Sequence, residues 1–327
     1  MKRLKVLFLP HPVKELTHPW TDDLIAAVGA RHEITVFDEE APLAPQFEGV
    51  EVVVDHGGSS GTREQMDVAA ANGARLWQIL GTGFEHFDLD YIKARGIPVA
   101  NAPGQFSSVA LAQSAMMFIL MLAHRYRETA ANFTEGVLYR PAGLELEGRT
   151  LGLVGFGASG QDLARRARAF GMRIMAIDVR PIEPQILDEL QPEFLGTPED
   201  LDRVVAESDF LSLHLHLNAQ TRHTIDRRRL GLMKNTACLI NVARGALADE
   251  EALEEALLEG RIGGAGLDVF EREPPDPTRP AYQLPNVVVT PHTAGVTDGT
   301  SRKRAACTAE NVDRIAQDLE PLYRIDL

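Results

Sequence analysis

Gly155-Phe156-Gly157-Ala158-Ser159-Gly160 lies near the middle of the 327-residue chain, between two stretches of different character. The run before it, Arg149-Thr150-Leu151-Gly152-Leu153-Val154, reads as a buried strand, and the run after it, Gln161 to Phe170, as a helix. A glycine pattern alone is weak; joining strand to helix is the context it needs to hold a dinucleotide. The first glycine permits a tight turn, the second lets backbone approach a pyrophosphate, and the third lets helix pack on strand. The helix N-terminus then offers unpaired N–H groups and partial positive charge to the phosphates. A second strand, Arg173-Ile174-Met175-Ala176-Ile177, ends in Asp178, about 20 residues beyond the first glycine. An acid at that distance accepts hydrogen bonds from the ribose hydroxyls and repels a 2′-phosphate, which predicts NAD over NADP. Arg180 is placed to meet such a phosphate, but the acid outweighs it.

Outward from the fingerprint, short apolar runs alternate with helical patterns in both directions. Lys5–Leu9, Glu33–Phe37, Val50–Val54, Leu76–Leu80 and Val99–Ala100 read as strands of a first sheet, with helices such as Thr21–Gly29 and Arg63–Asn72 between them. A second series starts at Leu151 and continues through Ile174–Ile177, Phe210–Leu215, Ala237–Val242, Gly264–Val269 and Val287–Thr290. Such alternation predicts an α/β protein with two doubly wound parallel sheets. The tail, Thr300 to Leu319, is helical and follows the last strand; the simplest path returns it to the first domain. The expected division is therefore a substrate domain of residues 1–101 and 293–327, interrupted by a dinucleotide domain of residues 102–292.

Composition narrows the partners. A formal net charge of −14 disfavours DNA and anionic membrane surfaces. Two cysteines, Cys238 and Cys307, make no disulfide framework or metal cage and suit the reducing cytoplasm. The apolar run at the start, Val6 to Leu9, is shorter than a signal-peptide core and ends at Pro10. The most apolar stretch, Val109 to Ala123, contains Gln113 and Ser114 and is short for a bilayer span, so no membrane segment is expected. His214 and His216 share one strand face, but no spacing supplies further ligands, and no metal is expected.

In open parallel sheets, ligands bind beyond the carboxyl ends of the strands. Three reactive side chains fall at such ends: Arg244 after Leu239–Ala243, Glu273 after Gly266–Phe270, and His292 after Val288–Pro291. A 2-oxo acid needs its carboxylate gripped, its carbonyl polarised and a proton delivered to oxygen as hydride arrives at carbon. The planar fork of Arg244 suits the first two tasks. His292 suits the proton transfer. Glu273 would accept from the other ring nitrogen, fix the tautomer and favour the imidazolium.

These stretches also carry a resemblance. Gly152-Leu153-Val154-Gly155-Phe156-Gly157, Ile240-Asn241-Val242-Ala243-Arg244-Gly245, Gly266-Leu267-Asp268-Val269-Phe270-Glu271 and Thr290-Pro291-His292-Thr293-Ala294-Gly295 resemble the D-isomer-specific 2-hydroxyacid dehydrogenases. That family includes glyoxylate/hydroxypyruvate reductases, D-lactate dehydrogenases and phosphoglycerate dehydrogenases. The likeness extends to Gly81-Thr82-Gly83-Phe84 and Asn101-Ala102-Pro103-Gly104. It implies a Rossmann cofactor domain inserted into a flavodoxin-like substrate domain, and a homodimer formed through the cofactor domain. It matches Arg244, Glu273 and His292 to the catalytic arginine, glutamate and histidine, and favours Glu273 over Glu271. It places Asp268 near the nicotinamide carboxamide, and His214, Val242 and Gly295 beside the cofactor. The Ser108–Ala123 helix is then either dimer interface or buried within its domain. The chain departs from the family at Ala158-Ser159 in the glycine loop, at Glu85-His86 and at Gln113-Ser114. Ser159 either leaves one phosphate contact missing or replaces it with its hydroxyl.

After the strand Val50–Val54 comes Asp55-His56-Gly57-Gly58-Ser59-Ser60-Gly61, whose small residues and amides suit a substrate carboxylate. His56, Gly57 and Gly58 are the candidates there, with His56 facing either a polar substituent or water. Neither this loop nor Thr82 supplies a cation, which predicts a small unphosphorylated acid such as glyoxylate, hydroxypyruvate or pyruvate. Two other functions fit the same scaffold. One is a nucleotide-sensing corepressor-like protein, and the other a formate- or phosphite-type dehydrogenase.

Overall fold

The computed structural model describes residues 2–11, 18–57, 61–85 and 87–327, so Gly58 and His86 lie outside the described residues. The chain divides into two compact units, Met1–Phe106 with Thr297–Leu327, and Ser107–Val296. These crossings come a few residues later in each direction than the sequence reading put them.

The first unit holds β1 (Lys5–Leu9), β2 (Glu33–Val36), β3 (Val52–Asp55), β4 (Leu76–Ile79) and β5 (Val99–Ala100). They form a parallel sheet in the order β2-β1-β3-β4-β5, the flavodoxin-like order. β3 and β4 are buried along their whole length, which is why Val52-Val53-Val54 and Leu76-Trp77 show no polar alternation. Side chains still alternate between faces. Val6 and Phe8 join Trp20, Leu24 and Val28 on one side, while Leu7 and Leu9 join Met66, Trp77 and Ile92 on the other. The helix Arg63–Ala71 starts at a capping box in which Thr62 accepts from Gln65 N–H and Gln65 accepts from Thr62 N–H. The tail helix, Asp298–Ala316, returns to this unit as expected, adding Ala309, Val312 and Ile315 to the Val6 face. Buried Asn311 donates to Gln78 of β4 at 2.7 Å and fixes that helix on the sheet.

The second unit holds β6 (Thr150–Val154), β7 (Arg173–Ile177), β8 (Phe194–Gly196), β9 (Phe210–Leu213), β10 (Cys238–Asn241), β11 (Gly264–Leu267) and β12 (Val287–Val289). All pair in parallel, in the order β12-β11-β10-β9-β6-β7-β8. The sequence reading counted six strands here and missed β8, a half-buried edge strand of only three residues. With β8 included, the first six strands take the doubly wound order and β12 extends the sheet. The sequence direction reverses between β6 and β9, and that is the switch point where a ligand is expected.

The helix Ser108–Ala123 packs within this unit. Ala112, Ala115, Phe118 and Ile119 share a core with Leu153, Phe156 and Ile240, and the surface it leaves open includes Met117. It lies close on β11, since a Cβ at Gly266 would come 2.5 Å from Phe118 Cβ. Among the described residues no single helix is long and apolar enough to cross a membrane.

Candidate active site

The glycine loop follows β6, and its geometry leaves no room for a side chain at Gly155 or Gly160. Gly155 has φ +98°, and a Cβ there would lie 2.6 Å from the His214 carbonyl oxygen. A Cβ on Gly160 would come 2.4 Å from Gly155 O, so helix and turn are in direct backbone contact. The helix begins earlier than the sequence suggested, at Ala158 inside the fingerprint, and runs to Ala169. Its unpaired first-turn N–H groups therefore belong to the fingerprint itself. Asp178 ends β7 beside the loop: its Oδ2 accepts the Phe156 N–H at 2.8 Å, and its Oδ1 accepts the Arg180 N–H at 2.9 Å. The Arg180 guanidinium folds back over Gly157, with Nη2 3.2 Å from where a Cβ would stand. A turn with glycine at its three close-packed positions, a helix N-terminus and a carboxylate at the next strand end fit a dinucleotide.

His214, just past β9, is half-buried against this loop. Its Nδ1 lies 2.9 Å from Ser159 Oγ and its Nε2 2.9 Å from Ser212 Oγ. Burial pushes its pKa down to about 4, so the ring is neutral. Ser159 thus gives its hydroxyl to a histidine, a partner the sequence reading did not foresee.

The three predicted reactive residues come from loops after β10, β11 and β12. Arg244 sits in a turn held by buried Asn241, which accepts the Ala243 N–H at 3.1 Å and donates to the Arg244 carbonyl at 2.9 Å. Gly245 lies directly under the next loop, for a Cβ there would fall 1.9 Å from the Phe270 carbonyl carbon. Glu273 accepts the Phe270 N–H at 3.1 Å through Oε1 and meets His292 Nδ1 at 2.7 Å through Oε2. Burial alone would raise its carboxyl pKa. The hydrogen bond and charge of His292, the Phe270 N–H and the Arg244 charge together hold it below the usual carboxylate range. Glu271 points elsewhere, to Arg222 and His223.

His292 has φ +55°, a left-handed conformation rare for a non-glycine residue. Asp268 holds it there. The Asp268 carbonyl accepts the His292 N–H at 2.8 Å, and its buried carboxylate accepts the N–H of Thr293 at 2.8 Å and of Ala294 at 2.9 Å. Of the other residues expected beside a cofactor, Val242 is buried, and Gly295 has open space where a Cβ would project.

Comparison with known proteins fits this geometry. Residues 116–294 match the model of the D-isomer specific 2-hydroxyacid dehydrogenase NAD binding domain. A hydroxypyruvate reductase of Thermotoga maritima is 37% identical over 286 residues, covering 86% of this chain and 88% of that protein. The chain belongs to the D-isomer-specific 2-hydroxyacid dehydrogenases. A D-3-phosphoglycerate dehydrogenase of Methanocaldococcus jannaschii is 33% identical over 92% of this chain, which spans 56% of that relative's length. A D-lactate dehydrogenase of Aquifex aeolicus, solved with NAD and lactic acid, superposes with a TM-score of 0.80 at 26% identity, covering 98% of this chain and 99% of that one.

In the first unit of this dehydrogenase, the loop after β3 differs from its sequence reading. Gly57 N–H is not presented outward but donates to buried Asp55 at 3.2 Å, because a buried carboxylate recruits the nearest donors. Gly61 N–H and Trp77 Nε1–H complete its shell at 3.1 and 3.2 Å. His56 packs against Phe8, His11 and Trp20 rather than facing water. Burial, reinforced by the charges of His11 and Arg304, pushes its pKa down to about 3. Arg304 is the residue the sequence reading missed. It lies over the Trp20 ring and donates to Thr82 Oγ1 at 3.2 Å, so a cation does reach the Thr82 loop. Nothing in the sequence marks it, since its place depends on which face the returning helix turns to Trp20.

Proposed function

We propose that this enzyme reduces a small 2-oxo acid of the glyoxylate, hydroxypyruvate or pyruvate type to its D-2-hydroxy acid, and catalyses the reverse reaction, with NAD(H). The observation that carries this reading is the 2.7 Å contact between His292 Nδ1 and Glu273 Oε2. A carboxylate on Nδ1 directs the ring so that Nε2 is the nitrogen that exchanges a proton with the substrate oxygen. Arg244, whose charge acts on the same carboxylate, grips the substrate carboxylate through its fork and steadies the oxyanion as it forms. The bound nicotinamide supplies or takes up the hydride. Gly155, Gly157 and Gly160 admit its pyrophosphate to the helix N-terminus, and Asp178 supports NAD over NADP.

The protein is read as a cytoplasmic homodimer joined through the second unit. Both cysteines are buried thiols, and Phe133 and Leu138 of that unit are 83% and 66% exposed. The deciding experiment assays glyoxylate, hydroxypyruvate and pyruvate with NADH and NADPH in parallel. Turnover of none of them, or turnover with NADPH alone, overturns the assignment.

A further inference from the structure

The loop Phe270–Glu273 carries the carboxylate that meets His292, and it is held at several points: Phe270 packs on Tyr282 and over Gly245, and the Glu271 side chain meets Arg222 and His223. A small cavity beside Phe270 is lined by Asn241, Gly245, Ala248, Glu250 and Tyr282 among others. The loop meets Glu250 through its backbone. The Glu271 N–H donates to Glu250 Oε2 at 2.7 Å, two residues before Glu273. Glu250 is itself held from outside the loop. It opens the helix Glu250–Leu258, and its Oε1 accepts from Tyr282 OH at 3.1 Å and from Arg279. Arg279 is tied in turn to Glu254. The side chain of Glu250 is only 16% exposed, so its end of the link is shielded although the Glu271 amide it accepts lies at the surface.

We propose that Glu250 is the positioning residue for proton transfer: it clamps the Glu271 amide and thereby keeps Glu273 in register with His292. The proposal rests on the 2-oxo acid reductase reading above. It follows from the way the groups are linked. One carboxylate, fixed at a helix start by Tyr282 and Arg279, holds the loop backbone two residues before Glu273. A shift of about 1 Å in a positioned catalytic group can cost on the order of 10² in rate.

The test uses full-length Glu250→Ala and Glu250→Gln. Glutamine keeps a carbonyl acceptor for the Glu271 N–H, whereas alanine removes it. In Glu250→Ala, kcat for the best 2-oxo acid should fall about 10- to 100-fold. The Kd for NADH, read by fluorescence titration, should stay within about twofold, because the glycine loop belongs to another part of the sheet. Glu250→Gln should recover most of the lost kcat. In a spectrum of ¹⁵N-histidine protein, with His292 assigned by its loss in His292→Gln, the Nδ1 resonance should move in the alanine variant and stay near wild type in the glutamine one. That readout needs no turnover, so it judges the proposal even if the wild type reduces none of the acids tried. An unmoved resonance or undiminished kcat in Glu250→Ala overturns the clamp. A kcat loss matched by lost NADH affinity, or a glutamine variant as impaired as alanine, overturns it as well.

Discussion

Asp268 grips the backbone at and after His292: its carbonyl accepts the His292 N–H at 2.8 Å, and its carboxylate accepts the N–H groups of Thr293 and Ala294 at 2.8 and 2.9 Å. The left-handed backbone at His292 is thus held by one buried residue acting on successive backbone amides. Such a conformation costs about 1–3 kcal/mol and persists only where its surroundings impose it.

Asp268→Asn tests that clasp. The amide nitrogen that replaces one oxygen donates rather than accepts, leaving a buried N–H at Thr293 or Ala294 unpaired. The expected result is a stability loss of about 1–3 kcal/mol in urea unfolding. A fall in kcat of more than about tenfold should accompany it as His292 leaves its place. A variant with unchanged midpoint and unchanged kcat would show that the turn holds itself.

The proton donor and the carboxylate grip separate by substitution. His292→Ala should lower kcat by about 10²–10⁴-fold while NADH still binds. Arg244→Lys should raise KM for the 2-oxo acid and lower kcat together, because an ammonium cannot reproduce a forked contact. Steady-state kinetics on both variants, beside NADH fluorescence titration, reports the two effects independently. Wild-type constants in either variant remove the role assigned to that residue.

Gly155→Ala examines the cradle. Its Cβ would meet the His214 carbonyl oxygen at 2.6 Å, in a backbone with φ +98° that alanine rarely adopts. The turn must open, and NADH affinity should drop by about tenfold or more, equivalent to roughly 1.4 kcal/mol. Unaltered affinity would mean that the loop does not touch the cofactor.

The sheets and the fingerprint were legible because long Val, Leu and Ile runs between helical patterns have few other solutions in a parallel α/β protein. Phe194-Leu195-Gly196 escaped notice because three half-buried residues at a sheet edge carry no such signal. Arg244, Glu273 and His292 could be found from their positions at strand ends, but the groups that hold them could not. The Asp268 carboxylate grips backbone amides, and every residue offers one of those. The Ser159 and His214 contact joins positions 55 residues apart. The Gly57 amide turned inward because Asp55 is buried beside it, a fact visible only once β3 lies in the sheet.

Two half-buried imidazoles predict how stability responds to acid. His214 and His56 are held neutral in the folded chain, with pKa values pushed down to about 4 and about 3, mainly by burial. In the unfolded chain both return to about 6.5. Between those limits the unfolded state binds protons that the native state refuses, so stability falls as pH drops below about 6.5. Each ring contributes a slope of up to about 1.4 kcal/mol per pH unit, and above that pH neither contributes any slope. The range from pH 6.5 to 5 isolates the effect, because carboxylates begin to titrate only below it. Urea midpoints should therefore decline from pH 6.5 to 5 in the wild type, and decline less steeply in His214→Asn. A midpoint that holds level across this range, or an identical slope in the variant, would show that His214 takes up its proton without disturbing the glycine loop.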